Sequence, residues 1–111
     1  MKMLYISHPY TGNTKYNMHD AEEIAAELSN LYHKTLFINP LNVMKHLQNS
    51  SLSYDEILEQ CIVLLHKCDG IILTGDWQSS RGCLEEFKSA KDKMPIYSCV
   101  DEFKRYYKEE L

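Results

Sequence analysis

A chain of 111 residues is long enough for one domain and too short for two. Hydrophobic residues make up 44% and charged residues 25%, the proportions of an ordinary globular protein. The formal net charge of −4 argues against broad binding along nucleic-acid backbones, which needs a basic face. It leaves small phosphorylated ligands open, since a few backbone amides and one cation hold them.

Taken in chain order, Lys2-Met3-Leu4-Tyr5-Ile6-Ser7 is a short apolar run that reads as a buried first strand. His8-Pro9-Tyr10-Thr11-Gly12-Asn13 ends it in a loop. From about Asn17 to His33, the residues Ala21, Ile24, Ala25, Leu28, Leu31 and Tyr32 recur at helical spacing. Thr35-Leu36-Phe37-Ile38 is the second strand, stopped by Asn39-Pro40. Residues 41–52 hold one helical turn or two and then loop. Ser53-Tyr54-Asp55-Glu56 has the form of a capping box and opens a helix with Ile57, Leu58, Cys61, Ile62, Leu65 and Cys68 on its apolar face.

Gly70-Ile71-Ile72-Leu73 is apolar throughout, as a central parallel strand should be. A loop over 74–80 leads into a helix from about Arg81 to Lys91. A fourth strand follows at 95–98, and a last helix spans Val100 to Glu110. Strands alternating with helices predict a single α/β domain over 1–111: a doubly wound parallel sheet of about 4–5 strands with helices on both faces. Ligands of such sheets sit beyond the carboxyl ends of the strands, which selects the loops 8–16 and 74–82.

Cys61, Cys68, Cys83 and Cys99 form no C-x-x-C pair, and no Cys/His cluster has zinc spacing. The expectation is buried free thiols in a reducing cytoplasm, with no metal and no cofactor. No signal peptide precedes the first strand, and no apolar run reaches the roughly 20 residues that span a bilayer. No membrane partner is therefore expected. His19, His33, His46 and His66 read as surface residues, while His8 falls in the first candidate loop.

Two loops carry candidate chemistry. In Tyr5-Ile6-Ser7-His8-Pro9-Tyr10-Thr11-Gly12 a strand runs toward a helix, so backbone amides there suit a phosphate. The full glycine pattern of a dinucleotide loop is absent, and a plain strand–helix turn fits as well. The second is Gly75-Asp76-Trp77-Gln78-Ser79-Ser80-Arg81-Gly82-Cys83-Leu84-Glu85-Glu86. Free amides at the helix start favour an anion, Arg81 adds charge, and Gly82 permits close approach. At about 100° per residue, Glu85 projects into water. Glu86 flanks the apolar face made by Cys83, Leu84, Phe87 and Ala90, with the small residues Gly82 and Ala90 one turn either side. Trp77 suits either stacking on a flat ring or anchoring the loop on the core.

Together these loops are similar to the small, often phage-associated proteins of the domain-of-unknown-function 4406 family. The resemblance lies in Tyr5-Ile6-Ser7-x-Pro9-x-Thr11-Gly12, Tyr16-Asn17, Cys68-Asp69 and Gly75-x-Trp77-x-x-Ser80-x-Gly82-x-x-x-Glu86-x-x-x-Ala90. Such proteins resemble the nucleoside 2-deoxyribosyltransferase-like superfamily. That likeness implies a doubly wound sheet, a dimer or larger even assembly, and cleavage or exchange of the N-glycosidic bond of nucleosides or nucleoside 5′-monophosphates. It implies Glu86 as nucleophile, Tyr5 as its hydrogen-bond partner, and Asp69 close to the sugar. Ser80 and Gly82 would contact phosphate or sugar. With Arg81, His8, Pro9, Thr11, Gly12, Asp76 and Trp77 they make up the expected substrate-binding set. The segment that would contact the base is not recognisable, and in relatives it often comes from a second subunit. A non-catalytic nucleotide-binding module and an NAD-type glycohydrolase are the alternatives.

Overall fold

The computed structural model describes residues 1–109. Its elements, in order, are β1 (Lys2–Ser7), α1 (Thr14–Leu31), β2 (Thr35–Ile38), α2 (Pro40–Val43), a 3-10 turn at Lys45–Asn49, and α3 (Tyr54–Leu65). Then come β3 (Gly70–Leu73), a 3-10 turn at Trp77–Ser79, α4 (Arg81–Ala90), β4 (Ile96–Tyr97) and α5 (Val100–Tyr106). The four strands form one parallel sheet in the order β2-β1-β3-β4. This is the expected doubly wound α/β architecture, with the order reversing at β1 and β3.

Side chains alternate across a strand, and here the alternation divides the core into two. Tyr5, Ile71 and Leu73 pack with Leu65 of α3 and Ala90 of α4 on one face. Leu4 and Ile72 pack with Leu28 of α1 and Phe103 of α5 on the other. Right-handed crossovers put α1 on the opposite face from α3 and α4. The second face is aromatic: Phe103 stacks on Tyr107 with centroids 4.5 Å apart and meets Tyr97 edge-on at 5.0 Å.

Local signals set the helix ends. Ser53 accepts from the Glu56 amide at 3.2 Å while the Glu56 carboxylate accepts from the Ser53 amide at 2.8 Å, so the predicted capping box is formed. The first helix starts three residues earlier than its apolar periodicity suggests (Thr14 rather than Asn17), because the Asn13 side chain caps it by accepting from the Tyr16 amide at 3.1 Å. Residues 40–52 hold a four-residue helix and a five-residue 3-10 turn. The last helix ends at Tyr106, short of the predicted Glu110, which lies outside the described residues.

The thiols depart from the expectation of uniform burial. Cys68 and Cys83 are buried, but Cys61 is half-buried and Cys99 exposed. Cys99 caps α5, its sulfur accepting from the Glu102 amide at 3.3 Å. His19, His33, His46 and His66 are exposed as expected.

Phe103 is fully buried at the centre of the aromatic face, whereas Tyr106 three residues later is 62% exposed. Phe103→Ala should lower the unfolding free energy by roughly 3–5 kcal/mol. Tyr106→Ala should change it by less than about 0.5 kcal/mol. Urea titrations followed by circular dichroism would test both, and equal effects would contradict this division of the core.

Candidate functional site

The carboxyl ends of β1 and β3 lie side by side, Ser7 opposite Leu73. Thr74 locks the loop that leaves β3: its amide and its hydroxyl both donate to the Ser7 carbonyl, at 2.9 and 2.8 Å. Gly75 follows at φ +60°, and a Cβ there would sit 3.1 Å from His8 Nε2 and 3.2 Å from Pro9 Cδ. The two loops singled out from sequence thus touch, and the positive φ together with this tight approach favours glycine between them.

Tyr5 and Ser7 are two apart on β1, so both side chains leave the same face of the sheet, toward α4. There they meet Glu86. The Tyr5 hydroxyl donates to Glu86 Oε2, and the Ser7 hydroxyl donates to Oε1 at 2.7 Å. Glu86 is only 7% exposed. Its neighbour Glu85 turns outward instead, with Lys88 Nζ at 3.8 Å. The separation of the two glutamates by helix geometry is as predicted.

Burial raises the Glu86 carboxyl above its ordinary 4.5, and the bonds from Tyr5 and Ser7 oppose that rise without cancelling it. Burial, and then the nearby Glu86 charge, push Tyr5 well above 10.0, so it remains a neutral donor. Two thiols back these hydroxyls. Cys61 lies close to Tyr5, and burial pushes its thiol up to about 11. Cys83 lies close to Ser7, and its thiol is likewise raised by burial. Neither cysteine nor Ser7 was expected at the site. The signal for Ser7 was its i+2 relation to Tyr5 on a strand whose end faces the motif helix.

Glu86 lines a cavity of about 310 Å³. One end is polar, with His8, Thr11, Ser80 and Gly82. The other is an apolar wall from α2, the following turn and α3, including Met44, Leu47, Leu52, Ile57 and Leu58. This wall comes from the stretch of sequence that was hardest to read. A second cavity of about 350 Å³ shares His8, Thr11 and Ser80 with the first and adds Pro9, Asn17, Asp20 and Asp76. His8 stands between them, buried, with Nε2 2.7 Å from Asp20 Oδ2 and Nδ1 2.8 Å from the Pro9 carbonyl oxygen. Both ring nitrogens are therefore engaged within the fold.

Ser80 caps α4, accepting from the Cys83 amide at 3.2 Å. Four expected residues are placed elsewhere. Asp69 lies at the amino end of β3, where its carboxylate accepts from the Met3 amide at 2.8 Å. That is the far end of the sheet from the Ser7–Leu73 edge, so the fold does not bring Asp69 to Glu86. Arg81 turns outward to Asp55 at 2.7 Å rather than into the cavity. Trp77 packs on Phe87 with centroids 5.7 Å apart and donates to the Ser98 carbonyl at 3.0 Å, which makes it the loop anchor. Gly12, at φ +99°, shapes the first loop with open space around it. Among the described residues no group of three His, Cys, Asp or Glu side chains is placed to hold a metal, and no helix is long and apolar enough to cross a membrane.

The chain belongs to the domain-of-unknown-function family DUF4406, whose pattern matches residues 2–97. That span contains both loops and every residue around Glu86 named above. Comparison with curated proteins finds no match, and comparison with solved structures finds none.

The raised Glu86 pKa fixes the sign of a stability effect. The unfolded chain ionises near 4.5 and the folded one at higher pH. The protonated carboxyl therefore favours the fold. This contribution is complete below the unfolded value and is lost as pH rises through the folded one. Relative to Glu86→Gln, the wild type should melt progressively higher as pH falls from about 8 to about 4. A Tm difference that is flat or runs the opposite way across this range would contradict the buried state of Glu86.

Proposed function

We propose that this DUF4406 protein cleaves or exchanges the N-glycosidic bond of a (2′-deoxy)nucleoside or nucleoside 5′-monophosphate, with Glu86 as nucleophile. One observation carries the reading: a buried carboxylate in a cavity wall, gripped on both oxygens by hydroxyls. A carboxylate held this way keeps one orientation and retains lone pairs for a third contact. Purely structural needs would be met as well by an apolar side chain, so a buried acid in a cleft marks a candidate site.

Breaking the glycosidic bond sends its electron pair to the base nitrogen and builds positive charge on C1′. Glu86, from the face opposite the base, stabilises that charge or forms a C1′–O bond. Water, or a second base in a transfer, then attacks C1′ and releases the carboxylate. The apolar wall from residues 40–58 fits a flat base, and the polar end with Thr11, Ser80 and Gly82 fits the sugar and a 5′-phosphate. The departing base takes a proton from an acid at the cleft or from water. His8 lines that cavity and Asp76 the adjoining one, and Asp69 has no part in this reading.

Two alternatives keep an observation each. His8 has both ring nitrogens engaged, which leaves it no free proton donor and suits a non-catalytic nucleotide-binding module. The adjoining second cavity offers room for another nucleotide half, which suits an NAD-type glycohydrolase. The exposed Val63 on α3 and Tyr106 on α5 support a homodimer or higher even oligomer built on one of these helices. Light scattering at micromolar concentration should then give a mass above that of one chain, and a monomer alone would count against assembly.

A screen of 2′-deoxynucleosides, their 5′-monophosphates and NAD for released base separates the readings. The expected result is base release from a 2′-deoxynucleotide, faster from the monophosphate than from its nucleoside. Glu86→Gln should reduce it by roughly 10³-fold or more, while Glu85→Gln leaves it within about twofold. Because the nucleophile must be ionised, kcat should rise with pH through the elevated Glu86 pKa, above 4.5. Binding without turnover would favour the module reading, and release of nicotinamide alone the third.

A further inference from the structure

We infer that Tyr54 is a substrate-binding residue, its hydroxyl donating to an acceptor atom of the ligand beside Glu86, with Asp55 and Arg81 holding its ring for that contact. This assignment rests on the nucleoside or nucleotide reading of the cavity.

Tyr54 is the first residue of α3, so the Ser53–Glu56 capping box fixes its backbone. Its side chain lines the same cavity as Glu86. The hydroxyl reaches across to the first turn of α4: a Cβ on Gly82 would come within 2.9 Å of it. The glycine expected to admit a ligand thus admits a phenol of the chain itself. Gly82 precedes Glu86 by four residues, about 6 Å of helical rise, so the hydroxyl lies against the stretch of helix that carries the carboxylate.

The ring is held from outside. The Arg81 guanidinium carbon lies 5.3 Å from the ring centroid, and its Nη2 is 2.7 Å from Asp55 Oδ1. A cation over an aromatic face is attractive, and the ion pair keeps it there. Arg81, read from sequence as an anion ligand, instead acts through Tyr54. The two buried phenols are bonded, Tyr5 to Glu86 and Tyr107 to Thr35, whereas Tyr54 is 43% exposed. The Tyr54 hydroxyl has no hydrogen-bond partner among the described residues. A ring ordered on one side, with its hydroxyl packed on a helix start and its donor unspent in a cavity, is preorganised for an incoming acceptor. Phosphate oxygen, sugar hydroxyl and base carbonyl share that chemistry.

The test is calorimetric binding of a 2′-deoxynucleoside and its 5′-monophosphate to protein carrying Glu86→Gln, which blocks turnover but not binding. Adding Tyr54→Phe should weaken binding roughly three- to tenfold, the worth of one hydrogen bond. A loss confined to the monophosphate places the hydroxyl on the phosphate, and an equal loss with both ligands places it on the nucleoside; either supports the assignment. Arg81→Gln should weaken binding less, and with Tyr54→Phe it should add nothing further, because its effect passes through the ring. Gly82→Ala, which displaces the phenol, should reproduce the loss. Binding unchanged by Tyr54→Phe, or additive loss from Arg81→Gln, would overturn the assignment. Absence of binding by either ligand would overturn the nucleotide reading and this assignment with it.

Discussion

The structure turns on one buried carboxylate. Glu86 is removed from water, and burial of an ionisable group without partners is costly enough that it shifts its own protonation. The fold meets that cost with two hydroxyls delivered by strand geometry. Positions 5 and 7 of β1 project from the same face, and α4 crosses that face with Glu86 turned inward. Moving the register of β1 by one residue would present Leu4 and Ile6 to α4 and leave the carboxylate unpaired. Register, helix rotation and the site are therefore one constraint.

Much of this was legible because the signals were periodic or local. Apolar runs without room for helices marked the strands at 2–7 and 70–73, and a capping box marked the start of α3. The helical wheel of 81–91 separated Glu86 from Glu85 before any contact was known. The apolar wall of the cavity was not legible. Residues 40–52 form a four-residue helix and a 3-10 turn, elements too short to show a period. Their Met44, Leu47 and Leu52 meet the cavity only because α3 folds back against α4. The expectation that a second subunit would supply the base-contacting segment came from that gap in the pattern.

Side-chain destinations were the other loss. Arg81 stands where an anion ligand would, yet its long side chain reaches Asp55, 26 residues earlier in sequence. Asp69 sits beside an apolar strand as a sugar-facing acid would, but it precedes β3, and in a parallel sheet everything before a strand lies at the edge away from the ligand. There it receives the Met3 amide and joins the starts of β1 and β3. That contact follows from register rather than composition. His8 illustrates the same limit, since its partner Asp20 lies on a helix whose rotation toward the first loop depends on packing.

The electrostatic surroundings of Glu86 make a further point. Tyr5 and Ser7 are neutral donors to it, and burial keeps the phenol and the nearby thiols of Cys61 and Cys83 protonated. Among the described residues no ion pair involves Glu86, since Arg81 and Lys88 are paired with Asp55 and Glu85. Nor does the helix dipole compensate it, because the effect fades within the first turn and Glu86 is the sixth residue of α4. Its charge is oriented by dipoles but not cancelled. In a low-dielectric pocket such a charge interacts strongly with any positive centre brought against it. On the proposed reading the compensating charge is the one that develops on the sugar as the bond breaks. A carboxylate oriented before the reaction needs no rearrangement to meet that charge, which is how a preorganised site lowers the barrier.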